Sequence, residues 1–247
     1  MDYYGRADRM SILTHPGRLS AIAQKIGQAL LPASCLLCGA DSGEALLCRQ
    51  CHGDLPELPT PCCPVCADQT THGERCGACL KDPPSFDETI SLFRYDFPVD
   101  RIIHALKYGH QLAVADWFGQ SLAGRLAGQA FDRVIPLPLH VERLRQRGFN
   151  QSLEIARKLA IWGKFPVDRS NVRRTRATLP QADLPHKARQ KNVRGAFECS
   201  ADFSGQSLLL IDDVMTTGAT ANECARVLKL HGARKVTVAV MARALKH

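Results

Sequence analysis

The chain has 247 residues, 45% of them hydrophobic and 23% charged, enough for one sizeable core beside a smaller module. No apolar run reaches the roughly 18 residues that a membrane-spanning helix needs, and the N-terminus lacks the apolar stretch and small-residue cleavage site of an export signal, so a cytoplasmic protein with no membrane span is expected. A formal net charge of +8 and a pI near 9.0 favour polyanionic partners, phosphorylated metabolites or nucleic acid, as much as simple solubility.

His15-Pro16-Gly17 breaks any helix in the polar start of the chain, which is expected to be disordered. From Arg18 to Leu31, Leu19, Ile22, Ile26 and Leu30 recur at helical spacing and predict a short amphipathic helix that completes an N-terminal extension over 1–31. Gln24, Lys25 and Gln28 give its polar face too few cations for strong lipid binding, so the helix is read as docking on the chain's own body.

Residues 32–85 carry an internal repeat. Eight of the eleven cysteines fall as four Cys-x-x-Cys pairs: Cys35 and Cys38, nine residues, Cys48 and Cys51, then Cys63 and Cys66, nine residues, Cys76 and Cys79. A thiolate tetrad suits Zn²⁺, which is tetrahedral and borderline-soft, and a Cys-x-x-Cys turn points two sulfurs at one metal. Eight ligands therefore make two structural zinc sites and a double zinc-ribbon module, in a reducing compartment. Consecutive pairs sharing a metal give two ribbons in series; the first pair with the third gives a cross-brace; the identical half-repeats favour the series. Cys62 also lies at ligand spacing from Cys66, but Cys63 keeps the x₂ rule of the other three pairs; His52 and His72 are near enough to substitute, but a full set of thiolates makes them solvated surface residues. With sulfur at every position neither metal has an open coordination site, so the module is structural, or holds a partner or nucleic acid, rather than catalytic. Between the half-repeats Leu55-Pro56-Glu57-Leu58-Pro59-Thr60-Pro61 reads as an extended connector.

After Pro83-Pro84 the composition becomes that of an α/β domain, placed at 86–247. Periodicity predicts strands at Thr89 to Tyr95, Arg133 to Leu137, Gln206 to Ile211 and Lys235 to Met241. It predicts helices at Val99 to Lys107, Ala113 to Ala127, Gln151 to Trp162 and Thr220 to Leu230. The alternation implies a parallel sheet flanked by helices.

Leu208 to Thr220, LLLIDDVMTTGAT, is the most informative stretch. Its apolar strand ends at Asp212-Asp213, at the carboxyl edge where open α/β sheets bind ligands. Thr216-Thr217-Gly218-Ala219-Thr220 then wraps into a helix N-terminus whose amides and hydroxyls suit a phosphate. Carboxylates accept from sugar hydroxyls while amides hold the phosphate, so a sugar phosphate satisfies both halves. Neither Gly-x-x-x-x-Gly-Lys-Ser/Thr nor a strand followed by Gly-x-Gly-x-x-Gly occurs.

Four apolar residues, two acids, two variable positions and Thr-Thr-Gly-Ala-Thr resemble the phosphoribosyl-pyrophosphate motif of type I phosphoribosyltransferases. Together with the cysteine module, Ile103 to Tyr108, Pro136-Leu137-Pro138, Arg143, Arg147 to Gln151, Arg174 to Thr178, Gln181, Arg189 and Asn192, the chain resembles the ComF/GntX family from about Pro32 to Leu245. That resemblance implies a type I phosphoribosyltransferase-like sheet behind a double zinc ribbon, phosphoribosyl pyrophosphate with Mg²⁺ as ligand, and a link to competence or DNA uptake.

The same resemblance assigns roles. Asp212 and Asp213 hold the ribose hydroxyls and favour an oxocarbenium-like transition state, and Thr216, Thr217, Gly218, Ala219 and Thr220 fix the 5′-phosphate. The segment from Pro138 to Gln151, with Arg143, Arg145, Arg147 and Gly148, is the loop that meets the pyrophosphate, and Lys107 is a further candidate for it. Val172 to Phe197, carrying Arg174, Lys187, Arg189 and Lys191, occupies the place of a flexible closing loop, with Arg189 counted as catalytic. Cations on such a loop equally track a nucleic-acid backbone. Cys224 is expected in the core and Cys199 without an evident partner. No acceptor pocket is recognisable. The alternative is a non-catalytic protein of the DNA-uptake or recombination apparatus that binds single-stranded DNA or a protein partner.

Overall fold

The computed structural model describes residues 33–177 and 192–245. The expected helix at 18–31 and the cations Lys187, Arg189 and Lys191 lie outside them.

The cysteine repeat becomes a structural repeat. A hairpin of β1 (Ala33–Ser34) and β2 (Asp41–Gly43) opens the first half, α1 (Arg49–Gly53) closes it, and α2 (Gly77–Lys81) closes the second. Cys48 and Cys76 are the N-cap residues of these single turns, both with extended backbone, so each second pair enters through the same geometry. The Cys48 sulfur accepts from the Cys51 amide at 3.5 Å.

The larger unit follows as β3 (Glu88–Arg94), α3 (Val99–Gly109), α4 (Leu112–Arg125), β4 (Arg133–Pro136), α5 (Val141–Arg147), α6 (Gln151–Gly163), β5 (Val172–Arg174), β6 (Phe197–Cys199), β7 (Ser207–Met215), α7 (Ala219–Leu230) and β8 (Lys235–Arg243). β3, β8, β7 and β4 form a four-stranded parallel sheet in that order, which puts β7 and β8 at its centre. Central parallel strands are covered on both faces, which is why Leu208 to Ile211 is apolar without alternation.

The pleat distributes these side chains between two cores. Leu209, Ile211, Ala239 and Met241 pack with α3, α4 and α6, whereas Leu208, Leu210, Val236, Val238 and Val240 pack with α7. Each ribbon joins a different core. Cys35, Leu47 and Leu55 belong to the first, and Cys63, Val65 and Cys79 to the second. His52 meets the edge of Trp117 at 6.1 Å, and Trp117 stacks on Phe93 at 5.6 Å, tying α1 to α4 and β3. α4 and α6 approach so closely at Gly119 that a Cβ there would lie 2.5 Å from the Lys158 Cβ.

Three expectations change. The segment 138–151, expected as a loop, contains α5: the His140 ring accepts from the Glu142 amide at 3.4 Å, and Gly148, at φ +80°, caps the last turn. The segment 172–197, expected as one long loop, begins and ends in the antiparallel pair β5 and β6. The motif strand does not stop at the acids but continues to Met215, because Val214 and Met215 still pair with Ala242 and Arg243.

Candidate functional site

Asp212 and Asp213 sit near the carboxyl end of β7, on one of the two most buried strands. Lys107, in the last turns of α3, places Nζ 2.8 Å from Asp213 Oδ2. Asp212 Oδ1 accepts from Ser152 Oγ at 3.3 Å and from the Asp213 amide at 2.8 Å, and Asp213 Oδ1 accepts from the Val214 amide at 2.7 Å. β7, α3 and the first turn of α6 therefore converge on two adjacent carboxylates. Asn150 starts α6 by accepting from the Ser152 and Leu153 amides, and its Nδ2 donates to the Leu137 carbonyl at 3.0 Å, which fixes Ser152 against β4.

Burial and then the neighbouring Asp213 charge raise the Asp212 carboxyl to about 7, against the smaller pull of the Asp213 amide, Lys107 and Ser152. Burial also works against the Lys107 charge, but Asp213 and Asp212 more than offset it and raise the ammonium above its usual range. Lys107 thus pairs with one acid, while its neighbour holds a proton more readily than an ordinary carboxyl.

Beyond the acids, 216–220 turns the chain into α7. Gly218 is the N-cap at φ +77°, and the Ala219 amide donates to Thr217 Oγ1 at 3.3 Å. A side chain at Gly218 would have ordinary contacts with Met215 and Phe86, so the left-handed backbone sets the cost of substitution. Gly218→Ala is expected to lose about 1–2 kcal/mol of stability, read by urea unfolding; an unchanged midpoint would show that the loop relaxes freely.

α5 presents Arg143 and Arg147 four residues apart, on one helical face. The Arg147 guanidinium lies 5.3 Å from the Tyr108 ring centroid, and His104 meets the same ring at 4.6 Å. Burial, with Arg143 adding to it, lowers the Arg174 pKa against the pull of Asp212, and the Arg174 guanidinium lies 5.6 Å over Phe197. Lys107 thus touches the acid pair directly, Arg174 lies close enough to Asp212 to feel its charge, and Arg147 lies close to Lys107 and Arg143 close to Arg174. Sequence reading gives Ser152 no role and Tyr108 only a place at the end of the Ile103 to Tyr108 stretch. Ser152 follows directly on the Arg147 to Gln151 motif, which was its one available signal. Cys224 is fully buried, as expected, and Cys199 packs against the second core with its thiol 3.5 Å from the Ala201 carbonyl.

Among the described residues the metal-ligating groups are Cys35, Cys38, Cys48, Cys51 and Cys63, Cys66, Cys76, Cys79, each set with its sulfurs within 4.8 Å of one another. The pairing is serial, and Cys62, His52 and His72 stand outside both sets. Tetrahedral zinc with bonds of about 2.3 Å sets sulfurs roughly 3.8 Å apart, and Cys38 to Cys48 is 3.8 Å and Cys66 to Cys76 is 3.5 Å. Burial opposes ionisation of Cys35, but the Cys38, Cys48 and Leu37 amides bring its thiol down to about 6; the Cys76, Cys66 and Val65 amides likewise bring Cys63 down to about 7. The donor sets fit two structural zinc ions. No helix among the described residues is long and apolar enough to cross a membrane.

Two known families match parts of the chain. A double zinc ribbon domain matches residues 26–80 and a phosphoribosyl transferase domain matches 146–246. The DNA utilization protein YhgH of Escherichia coli K12 is 35% identical over 191 residues, covering 74% of this chain and 84% of the relative. Competence protein F of Haemophilus influenzae is 30% identical over 213 residues, covering 80% and 90%. A phosphoribosyltransferase structure from Corynebacterium diphtheriae aligns over 57% of this chain and 77% of its own at 15% identity and a TM-score of 0.36, on which nothing further rests. With both domains in this order and relatives matched over most of their length, the chain belongs to the ComF family: a double zinc ribbon joined to a phosphoribosyltransferase domain.

Proposed function

We propose that this chain binds phosphoribosyl pyrophosphate with Mg²⁺ between β7, α3, α5 and the 216–220 loop, and transfers or senses the phosphoribosyl group. The observation that carries this is the acid pair itself. Two adjacent carboxylates at the end of a buried strand repel each other, and a hydrophobic or single-acid end would stabilise the fold better. A ligand that donates hydroxyls and develops positive charge accounts for both.

In this reading Asp212 and Asp213 accept hydrogen bonds from the ribose hydroxyls and stabilise the positive charge that develops at the anomeric carbon. The amides and hydroxyls of 216–220 donate to the 5′-phosphate at the start of α7. Arg143 and Arg147 face the pyrophosphate, with Gly148 allowing close approach, and Lys107 pairs with Asp213 and adds positive charge at the entrance. Arg189, which lies outside the described residues, is assigned to closing the site. The hard carboxylate oxygens of Asp212 and Asp213 would suit Mg²⁺, which would supply positive charge to offset the pyrophosphate. The cysteine sets suit a reducing compartment, and we place the protein in the cytoplasm.

Pyrophosphate release from phosphoribosyl pyrophosphate, assayed with panels of nucleobases, amines and oligonucleotides, tests this. Release that stops in Asp212→Asn/Asp213→Asn supports transfer, saturable binding without release supports sensing, and neither outcome with intact protein sinks the proposal.

A second reading, a non-catalytic protein that binds single-stranded DNA, has one observation in its favour. Tyr108 is 59% exposed beside Arg147, and an exposed ring next to a guanidinium is a surface on which bases stack. Relatives named for DNA utilization and competence point the same way. Salt-dependent oligonucleotide binding that survives loss of the acid pair supports it.

A further inference from the structure

Arg243 ends β8 and is 2% exposed. No carboxylate among the described residues pairs with it. Its Nε donates to the Cys66 carbonyl at 2.8 Å, and a terminal nitrogen donates to the carbonyls of Met215 at 3.2 Å, Thr216 and Ala244. A buried cation is tolerated only where dipoles replace its hydration, and here they are all backbone carbonyls. Two of them matter for function: Cys66 is a ligand of the second cysteine set, and Thr216 begins the loop that enters α7.

The two ends are linked by local geometry. Cys66 lies in a tight turn in which the Ala67 amide donates to the Cys63 carbonyl at 2.9 Å and the Cys63 amide to Asp68 at 2.7 Å, with Ala67 at φ +55°. The sulfurs of Cys63 and Cys66 fasten that turn to the metal, and the turn aims the Cys66 carbonyl at Arg243. At the other end, a planar trans peptide points its C=O and N–H in opposite directions. Drawing the Thr216 carbonyl onto Arg243 therefore turns the Thr217 amide to the other side of the loop, away from the guanidinium. Among the described residues the first cysteine set has no such link: Cys35 and its neighbours pack in the other core.

We propose that Arg243 is a positioning residue through which zinc occupancy of Cys63, Cys66, Cys76 and Cys79 sets the conformation of the 216–220 loop, so that metal retention by the second ribbon and sugar-phosphate affinity are coupled. This rests on the loop being a sugar-phosphate site. When the second metal is lost, the turn relaxes, the Cys66 carbonyl leaves, and the guanidinium is left with an unsatisfied donor that pulls on the loop carbonyls instead. Coupling is reciprocal: a ligand on the loop tightens the second zinc by the factor that zinc tightens the ligand.

The test has two arms on the full zinc-loaded chain. Phosphoribosyl pyrophosphate with Mg²⁺ is titrated into the parent, Cys38→Ser, Cys76→Ser and Arg243→Met. Cys76→Ser and Arg243→Met are expected to weaken binding roughly tenfold and Cys38→Ser less than about twofold. In the second arm, zinc transfer to a chromogenic chelator is followed with and without ligand. At equilibrium with the chelator, ligand should raise the parent's affinity for one of the two equivalents by about the factor by which zinc raises its ligand affinity, and Arg243→Met should abolish that rise. The parent alone suffices if the variant does not fold. Parent binding with ligand-indifferent zinc loss, or equal weakening by Cys38→Ser and Cys76→Ser, overturns the coupling alone; absence of binding to the parent overturns the underlying site as well.

Discussion

Asp212→Asn is expected to bind phosphoribosyl pyrophosphate roughly 10- to 100-fold more weakly than the parent and yet to be more stable at pH 8. The affinity loss follows from replacing a charged acceptor with a neutral one opposite ribose hydroxyls. The stability gain follows from the carboxyl's environment. Burial and the Asp213 charge raise its pKa from 3.8 to about 7. Between those values the folded chain holds a proton that the unfolded chain has released. The group's contribution is thus complete below about pH 4 and is lost as the pH rises through about 7, where the ionised carboxylate becomes a cost. Asparagine keeps the oxygen that accepts from Ser152 and the Asp213 amide but never ionises. The full shift sets a ceiling near ~4 kcal/mol, and partial solvent access reduces the expected gain to about 1–2 kcal/mol at pH 8, shrinking towards pH 4. Urea unfolding at several pH values reads this. A variant no more stable than the parent at pH 8 would mean that Lys107 and the local hydrogen bonds fully accommodate the second charge.

Cys63→Ser is expected to lose one zinc equivalent and about 10 °C or more of melting temperature. Cys63 is 0% exposed and lies in one core with Phe86, Ile135, Phe203 and Leu208, so the second ribbon forms one wall of that core. Unfastening the sulfur exposes that wall. Cys38, at the exposed rim of the first set, should also cost one zinc when changed to serine, with a smaller fall in melting temperature. Metal analysis with scanning calorimetry separates the two. Equal and small shifts would show that the ribbons fold apart from the sheet.

Much of this was legible because the sequence signals were local. Four pairs at fixed spacing announce two thiolate sets, and an apolar run ending in two acids before a threonine-rich loop announces a strand, a ligand edge and a helix start. Which pairs share a metal was open until the sulfurs were seen together. α5 was missed because three arginines between Pro138 and Gly148 resemble a solvated turn; the helix depends on capping by His140 and Gly148, not on an apolar stripe. Lys107 was only a candidate, since nothing in its helix reveals that Asp213 waits across the sheet edge. Arg243 was invisible for a stronger reason. Its partners are backbone carbonyls, one of them 177 residues away, and a carbonyl has no sequence signature. The sheet order likewise depends on crossovers that periodicity does not encode.

The most direct measurement is a calorimetric titration of phosphoribosyl pyrophosphate with Mg²⁺ into the zinc-loaded protein, beside Asp212→Asn/Asp213→Asn. Saturable one-site binding by the parent, lost in a variant that retains both zinc ions, is the result predicted. Absence of heat and of saturation in the parent, or equal binding by the variant, would contradict the assignment of the acid pair to a sugar-phosphate site.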